Sequence, residues 1–288
     1  MFYITIPYFN LSNIYNSGQT IGWRKVSDNK YIVTHKDKIV QVTQRKENFS
    51  FSCSEEEFYN TWYDYFDLGT DYSLYFNFFR TIDKEDLRPM CNRCKGLHIL
   101  RQDIFRVLIY GVFYEKTKSF SQSNILCEIL SQFVGRKRKK IISGQVITWF
   151  EFPSAESVLK KRKRLDECVM SKFKNEILYI CELIVDGWLD LDYLQTLSQY
   201  CTREAREYLT GCEIPKENVK LVMVLALHKL SYFIDIKNVN EFIEYNFQMF
   251  TNDFIDWVGK KSKNIRYCKR NISYLNFILV YNCLLPVE

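Results

Sequence analysis

"TGCEIPKENVKLVMVLALHKLSYFID", residues 210–235, sets the problem posed by this chain. A tight turn leads to Lys216, an apolar run follows, and Asp235 closes the stretch. The stretch "NVKLVMVLALHKL" carries apolar residues at helical spacing, and its run "LVMVLAL" is far too short to cross a membrane.

Outward from this stretch the chain divides in two. From about residue 86 onward, "DIFRVLIYGVF", "SNILCEILSQFV", "ESVLKKRKRLDECVMSKF", "NEILYICELIVDGWL", "REAREYL" and "NVNEFIEYNFQMF" carry apolar residues at helical spacing with short intervals between them. Residues 86–288 therefore read as a helical bundle. Residues 1–85 read differently. "YIVTHKDKIVQVTQ" and "FSFSCS" alternate apolar and polar residues, and "SDNK" is a turn between two such runs. The expected fold class is α+β: an N-terminal antiparallel β domain followed by helices, with a helix–turn–helix near 205–235.

The bulk numbers narrow the partners. At 47% hydrophobic and 26% charged residues, the 288-residue chain reads as soluble and globular. A net charge of +6 permits a nucleic-acid partner without demanding one. Two basic runs, "GRKRKKIISGQ" (135–145), read as a loop between helices, and "KKRKR" (160–164), within a helical pattern, are either solvated faces or phosphate-contacting patches. Aromatic residues, 16% of the chain, fill a core or stack on bases. The N-terminus lacks a basic, then apolar, leader pattern, so the ten scattered cysteines are expected reduced, and a cytoplasmic location follows, nucleoid-associated if the source is bacterial. Cys91 and Cys94, with His98, give three zinc-ligand types where a structural site needs four, so no metal or other cofactor is expected.

Four motifs carry a resemblance. "SGQTIGW" (17–23), "DYFDLGTDY" (64–72), "GLHILRQDIF" (96–105) and "EAREYL" (204–209) occur in the order in which the 8-oxoguanine DNA glycosylase family carries similar segments. In that family they are a GQ-x-F-x-W strand, a YFDL-x-x-DY segment and a G-x-R-I-L-x-Q-D-P-F entry into the helical domain. The chain resembles the family from its N-terminus to about residue 250.

The resemblance implies a mechanism and a partner, double-stranded DNA bound by a monomer. A helix-hairpin-helix docks on the duplex, and the damaged base is flipped into a pocket. A lysine opening the second hairpin helix attacks C1′ of the sugar, a downstream aspartate assists, and the Schiff base so formed permits strand cleavage. The amine must be partly neutral, which burial arranges. The interval to Asp235 assigns these roles to Lys216 and Asp235; anchoring instead on "LHKL" (227–230) puts Glu217 in the lysine position. Gly18 corresponds to the glycine whose carbonyl accepts a hydrogen bond from N7–H of 8-oxoguanine, a proton guanine lacks. Gln19 adjoins it, and Phe277 corresponds to the stacking aromatic of the base pocket.

The chain departs from the pattern at several of these places. Cys212 and Ile214 stand where the hairpin has glycines, and Glu213 between them adds negative charge. "YEKTKSF" (114–120) replaces an asparagine cluster, leaving Lys116 and Lys118 as candidate DNA contacts. "VMSKF" (169–173) replaces the segment that wedges into the duplex, with Lys172 and Phe173 as its candidates. Arg136 and Lys137 of the first basic run complete the expected DNA surface. The implied function is excision of an oxidised purine with AP-lyase activity. The alternative is a catalytically impaired relative that keeps the fold, and a third is a helical interaction protein with no nucleic-acid role.

Overall fold

The structure is a computed structural model and describes residues 1–73 and 95–229. Asp235, Phe277, Cys91, Cys94 and the helix expected around 238–250 lie outside the described residues.

Five strands form an antiparallel sheet: β1 (Phe2–Thr5), β2 (Trp23–Ser27), β3 (Lys30–His35), β4 (Lys38–Arg45) and β5 (Asn48–Phe51), in the order β1-β5-β4-β3-β2. The alternation that predicts strands decides which face is buried. Val40, Val42, Phe49 and Phe51 turn to the core, while Lys38 and Arg45 are exposed at the two ends of β4. After β5 the described chain turns helical. Ser54 caps a helical segment, α2 (Glu55–Glu57), which runs through a π turn (Phe58–Trp62) into α3 (Tyr63–Tyr65). It lays Phe58, Trp62 and Tyr65 under the sheet, with Phe58 meeting Phe51 edge-on at 4.8 Å.

The YFDL and ILRQD segments turn out to be the clip between sheet and bundle. Asp67, 2% exposed, receives two bonds from Arg101, at 3.0 Å from Nε and 2.8 Å from Nη2, and one at 2.6 Å from the Tyr72 hydroxyl. A buried carboxylate is tolerable only when paired in this way. Gln19 is the second staple. Its side chain is fully buried, donates to the carbonyl of His98 (2.8 Å) and accepts from the Leu100 amide (2.8 Å).

Asp103 then caps α4 (Ile104–Thr117), accepting from the Arg106 amide at 2.9 Å. Every residue of α4 from Ile104 to Tyr114 is buried, so it is the axis of the bundle. Around it lie α5 (Phe120–Val134), α6 (Ala155–Lys160), α7 (Lys174–Val185), α8 (Leu191–Tyr200), α9 (Thr202–Gly211) and α10 (Lys216–Leu221), the last continuing into a π turn (Val222–Ala226).

Two expectations of local structure are corrected. The basic run at 135–145 is not a loop: β6 (Lys137–Ile142) and β7 (Gln145–Phe150) form a hairpin turning at Ser143 and Gly144, both at positive φ. "ESVLKKRKRLDECVMSKF" is not one helix. After α6 the chain tightens into two 3-10 turns, Arg162–Asp166 and Cys168–Phe173, before α7 begins.

Candidate active site

The expected helix–turn–helix forms. α9 packs its apolar stripe, Ala205 and Leu209, inward and ends at Gly211; Ile214 is buried in the turn, and Pro215 immediately precedes α10. α10 sits on α4 through one side chain. Asn218, 1% exposed, donates from Nδ2 to the Leu108 carbonyl at 2.8 Å, and a Cβ placed on Gly111 would lie 2.0 Å from its Oδ1. Only glycine at 111 lets the two helices approach so closely.

The turn differs from one built to hold a phosphate. Its left-handed residue is Glu213 (φ +56), not either position where the family pattern has glycine. The amides of Cys212, Glu213 and Ile214 already donate to the carbonyls of Tyr208, Thr210 and Leu209 at 3.2, 3.0 and 3.3 Å. They are spent inside the turn rather than pointed at an anion.

Beside the turn lies a cavity of about 540 Å³ lined by Arg206, Thr210, Ile214, Lys216, Val219 and Lys220 among others. Lys216 is exposed and makes no hydrogen bond or ion pair among the described residues. Lys220, one turn on, has a side chain only 15% exposed and lies 3.1 Å from Oε1 and 3.4 Å from Oε2 of Glu217. Glu217 acts on Tyr114 of α4, whose phenol is raised first by burial and next by this carboxylate.

Tyr114 leads to the expected base-reading end. Its ring stacks on Phe120 at 4.7 Å, and a Cβ on Gly18 (φ +80) would lie 2.8 Å from the Phe120 Cβ. The Gly18 carbonyl accepts a hydrogen bond from Asn124 Nδ2 at 3.1 Å. Gly18, Phe120 and Tyr114 therefore form one contiguous cluster. Sequence reasoning missed Phe120, Asn124 and the Glu217–Lys220 pair. The three-residue spacing of that pair on a helix is the one signal that could have shown it.

The other expected site residues are placed as follows. The buried amide of Gln19 is engaged in the staple between sheet and bundle. Phe173, 5% exposed, fills the core against Phe113 (5.0 Å, edge-on), so it is not presented as a wedge. Lys116 bonds the Lys172 carbonyl at 2.7 Å and pairs with Glu176, while Lys172 itself is exposed. Lys118 terminates α4 in the left-handed conformation and pairs with Glu115 at 3.0 Å. Arg136 and Lys137 are exposed at the base of the hairpin. Five described cysteines are free, Cys53, Cys127 and Cys181 being buried, and no metal-ligand cluster occurs among the described residues.

An antiparallel sheet clipped to a bundle that presents a lysine-bearing helix–turn–helix is an arrangement that this chain shares with solved DNA glycosylases. Comparison with known proteins agrees. The 8-oxoguanine DNA glycosylase N-terminal domain matches residues 2–108. Among solved structures, MBOgg1, solved with a low-affinity DNA ligand, is 20% identical over 97% of this chain and 94% of its own, with a TM-score of 0.77. The Clostridium acetobutylicum 8-oxoguanine glycosylase/lyase, solved with double-stranded DNA containing cytosine opposite 8-oxoG, is 22% identical over 96% and 92%, with a TM-score of 0.75. The Archaeoglobus fulgidus 3-methyladenine DNA-glycosylase has the same fold at 18% identity and a TM-score of 0.68, over 100% of each chain. No curated protein matches in sequence. Residues 2–108 thus match the N-terminal domain of 8-oxoguanine DNA glycosylases, and the chain shares the fold of solved 8-oxoguanine glycosylases.

Proposed function

We propose that the chain is a DNA glycosylase with AP-lyase activity, acting on an oxidised purine in duplex DNA. The observation that carries the reading is the α9–turn–α10 unit, which brings two lysine amines to the wall of one cavity. The target base leaves the stack and enters the site, Gly18 reads its purine edge and Phe277 stacks on it. A lysine amine of α10 attacks C1′ and displaces the base. The sequence interval to Asp235 points to Lys216 as that amine and to Asp235 as its partner. Lys116, Lys118, Lys172, Arg136 and Lys137 hold phosphates, so binding weakens steeply with salt.

A second reading has a specific observation behind it: a family member that binds DNA without excision. The Gly18 carbonyl already carries the Asn124 hydrogen bond, and the turn amides are bonded internally. Borohydride trapping on duplexes containing 8-oxoguanine or an abasic site separates the two. A covalent adduct supports the glycosylase/lyase. Binding to both duplexes with an adduct on neither supports the second reading.

A further inference from the structure

The two basic runs, separate in sequence, meet at one end of α5. Phe120 opens this helix against Gly18, and Asn124 bonds the Gly18 carbonyl at 3.1 Å, so its N-terminal end belongs to the base-reading end of the molecule. The helix then rises roughly 20 Å. At its far end Arg164 Nη1 donates to the Phe133 carbonyl at 2.8 Å, and Lys161 Nζ to the Val134 carbonyl at 2.6 Å. Cations fit there because the last carbonyls of a helix lack partners and carry the negative end of its dipole. Gly135 ends the helix, and β6 begins at Lys137. Alternation along β6 sends Arg138 to Glu151 and Lys140 to the Ile39 carbonyl, and leaves Lys137 and Lys139 exposed on the other face. Arg136, Lys137, Lys139, Lys160, Arg162 and Lys163 thus form one exposed basic platform, and none of them pairs with a carboxylate among the described residues. Two neighbouring carboxylates are already engaged, Glu151 by Arg138 and Asp166 by Lys174, which leaves Glu167 exposed against the six cations.

We propose that this platform is a second DNA-binding surface, which holds the phosphates of a duplex segment other than the one docked at the base-reading end. The proposal rests on the DNA-binding part of the reading above and goes beyond it. The two surfaces stand at opposite ends of α5, and each has its own cations: Lys118 and Lys172 at the first, the six of the platform at the second. Those six are spread over the outer face of the hairpin, the end of α6 and the 3-10 turn that follows. A row of charges of one sign suits a polyanion, and a duplex offers one phosphate charge per about 1.7 Å of its axis. Contacts with phosphates carry no sequence information, so the second segment needs no lesion. A chain with one such surface covers one duplex. A chain with two bridges neighbouring segments, and passes from one to the other without returning to free solution.

The test mixes the full chain with two undamaged duplexes of one sequence, each several helical turns long and each carrying a different fluorophore. Two-colour single-particle counting, with the mass of each particle measured alongside, identifies particles of one chain and two duplexes. The parent is expected to form them, and to lose them as salt rises before it loses the first duplex. Lys139→Ala/Lys160→Ala/Arg162→Ala/Lys163→Ala removes only exposed side chains of the platform. This variant is expected to bind one duplex as the parent does, while two-duplex particles fall about 10-fold or more. Lys139→Arg/Lys160→Arg/Lys163→Arg keeps the charges and is expected to keep the particles. A parent that binds one duplex and never two, or a four-alanine variant that bridges as the parent does, overturns the proposal and leaves the DNA-binding reading standing. Two duplexes held only by pairs of chains overturn it as well. A folded parent that binds no duplex overturns both.

Discussion

Asn218 and Gly111 touch so closely that a single methyl group on Gly111 would lie 2.0 Å from the asparagine Oδ1. This contact seats α10 on the central helix and so decides which residues of α10 face the site. Gly111→Ala is expected to destabilise the protein by about 1–3 kcal/mol, as overpacking of a filled core does. Urea unfolding measures that loss. Because the methyl pushes α10 off its seat, trapping on abasic DNA should fall even at temperatures where Gly111→Ala is fully folded. Parental trapping from that variant would mean the seat is not what positions the amine.

Asn124 holds the carbonyl of Gly18 at 3.1 Å. If that carbonyl reads the N7–H of an oxidised purine, the asparagine competes for it. Asn124→Ala should raise the preference for an 8-oxoguanine duplex over an undamaged one by about 5- to 10-fold, the worth of roughly one hydrogen bond. Competitive binding of the two duplexes measures the ratio. An unchanged ratio would remove Gly18 from base reading.

Glu213 occupies the left-handed position of the turn, where glycine carries no penalty and a negative charge opposes a phosphate. Glu213→Gly is expected to stabilise the fold by up to about 1 kcal/mol and to tighten duplex binding. Fluorescence anisotropy across a salt series reads the second effect, which shrinks as salt rises if it is electrostatic.

Three buried imidazoles tie stability to pH. Burial pushes His35 down to about 3, helped by Arg106, and His98 down to about 4; burial also lowers His228, against the pull of Asp67. In the unfolded chain they titrate near 6.5. The folded state thus binds fewer protons between these values, so the stability they contribute is whole above about pH 6.5 and is lost as the pH falls toward 4. His98 alone accounts for on the order of 3 kcal/mol. Thermal melts from pH 7.5 to 4 should show a continuous fall in Tm, reduced in His98→Asn. A flat profile would mean these histidines are charged in the native state.

The β domain was legible because β3, β4 and β5 alternate in the ordinary way and their apolar residues are the buried ones. The basic hairpin was not, because the first four residues of β6, Lys137–Lys140, alternate without an apolar residue. Its inward positions are Arg138, paired with Glu151, and Lys140, which reaches the Ile39 carbonyl at 3.0 Å. The long stems of these side chains do the packing that valines do elsewhere. The signal present was "SG" at 143–144, flanked by β-branched residues. Within the site, the resemblance pointed to the helix–turn–helix that forms, while Gln19 and Phe173 stand buried in contacts of the fold. Both stand where a motif alone does not distinguish a pocket from a core. The Glu217–Lys220 pair is a contact along one turn of α10 that no family motif carries.

The account stands on an amine of α10 doing chemistry on DNA. Its most direct test is single-turnover strand scission of an 8-oxoguanine duplex by the parent chain and by the double variant Lys216→Ala/Lys220→Ala. The account predicts scission by the parent and none by the double variant, with both folded and both bound to the duplex. Scission that survives loss of both lysines, or a parent that binds and never cuts, would contradict it.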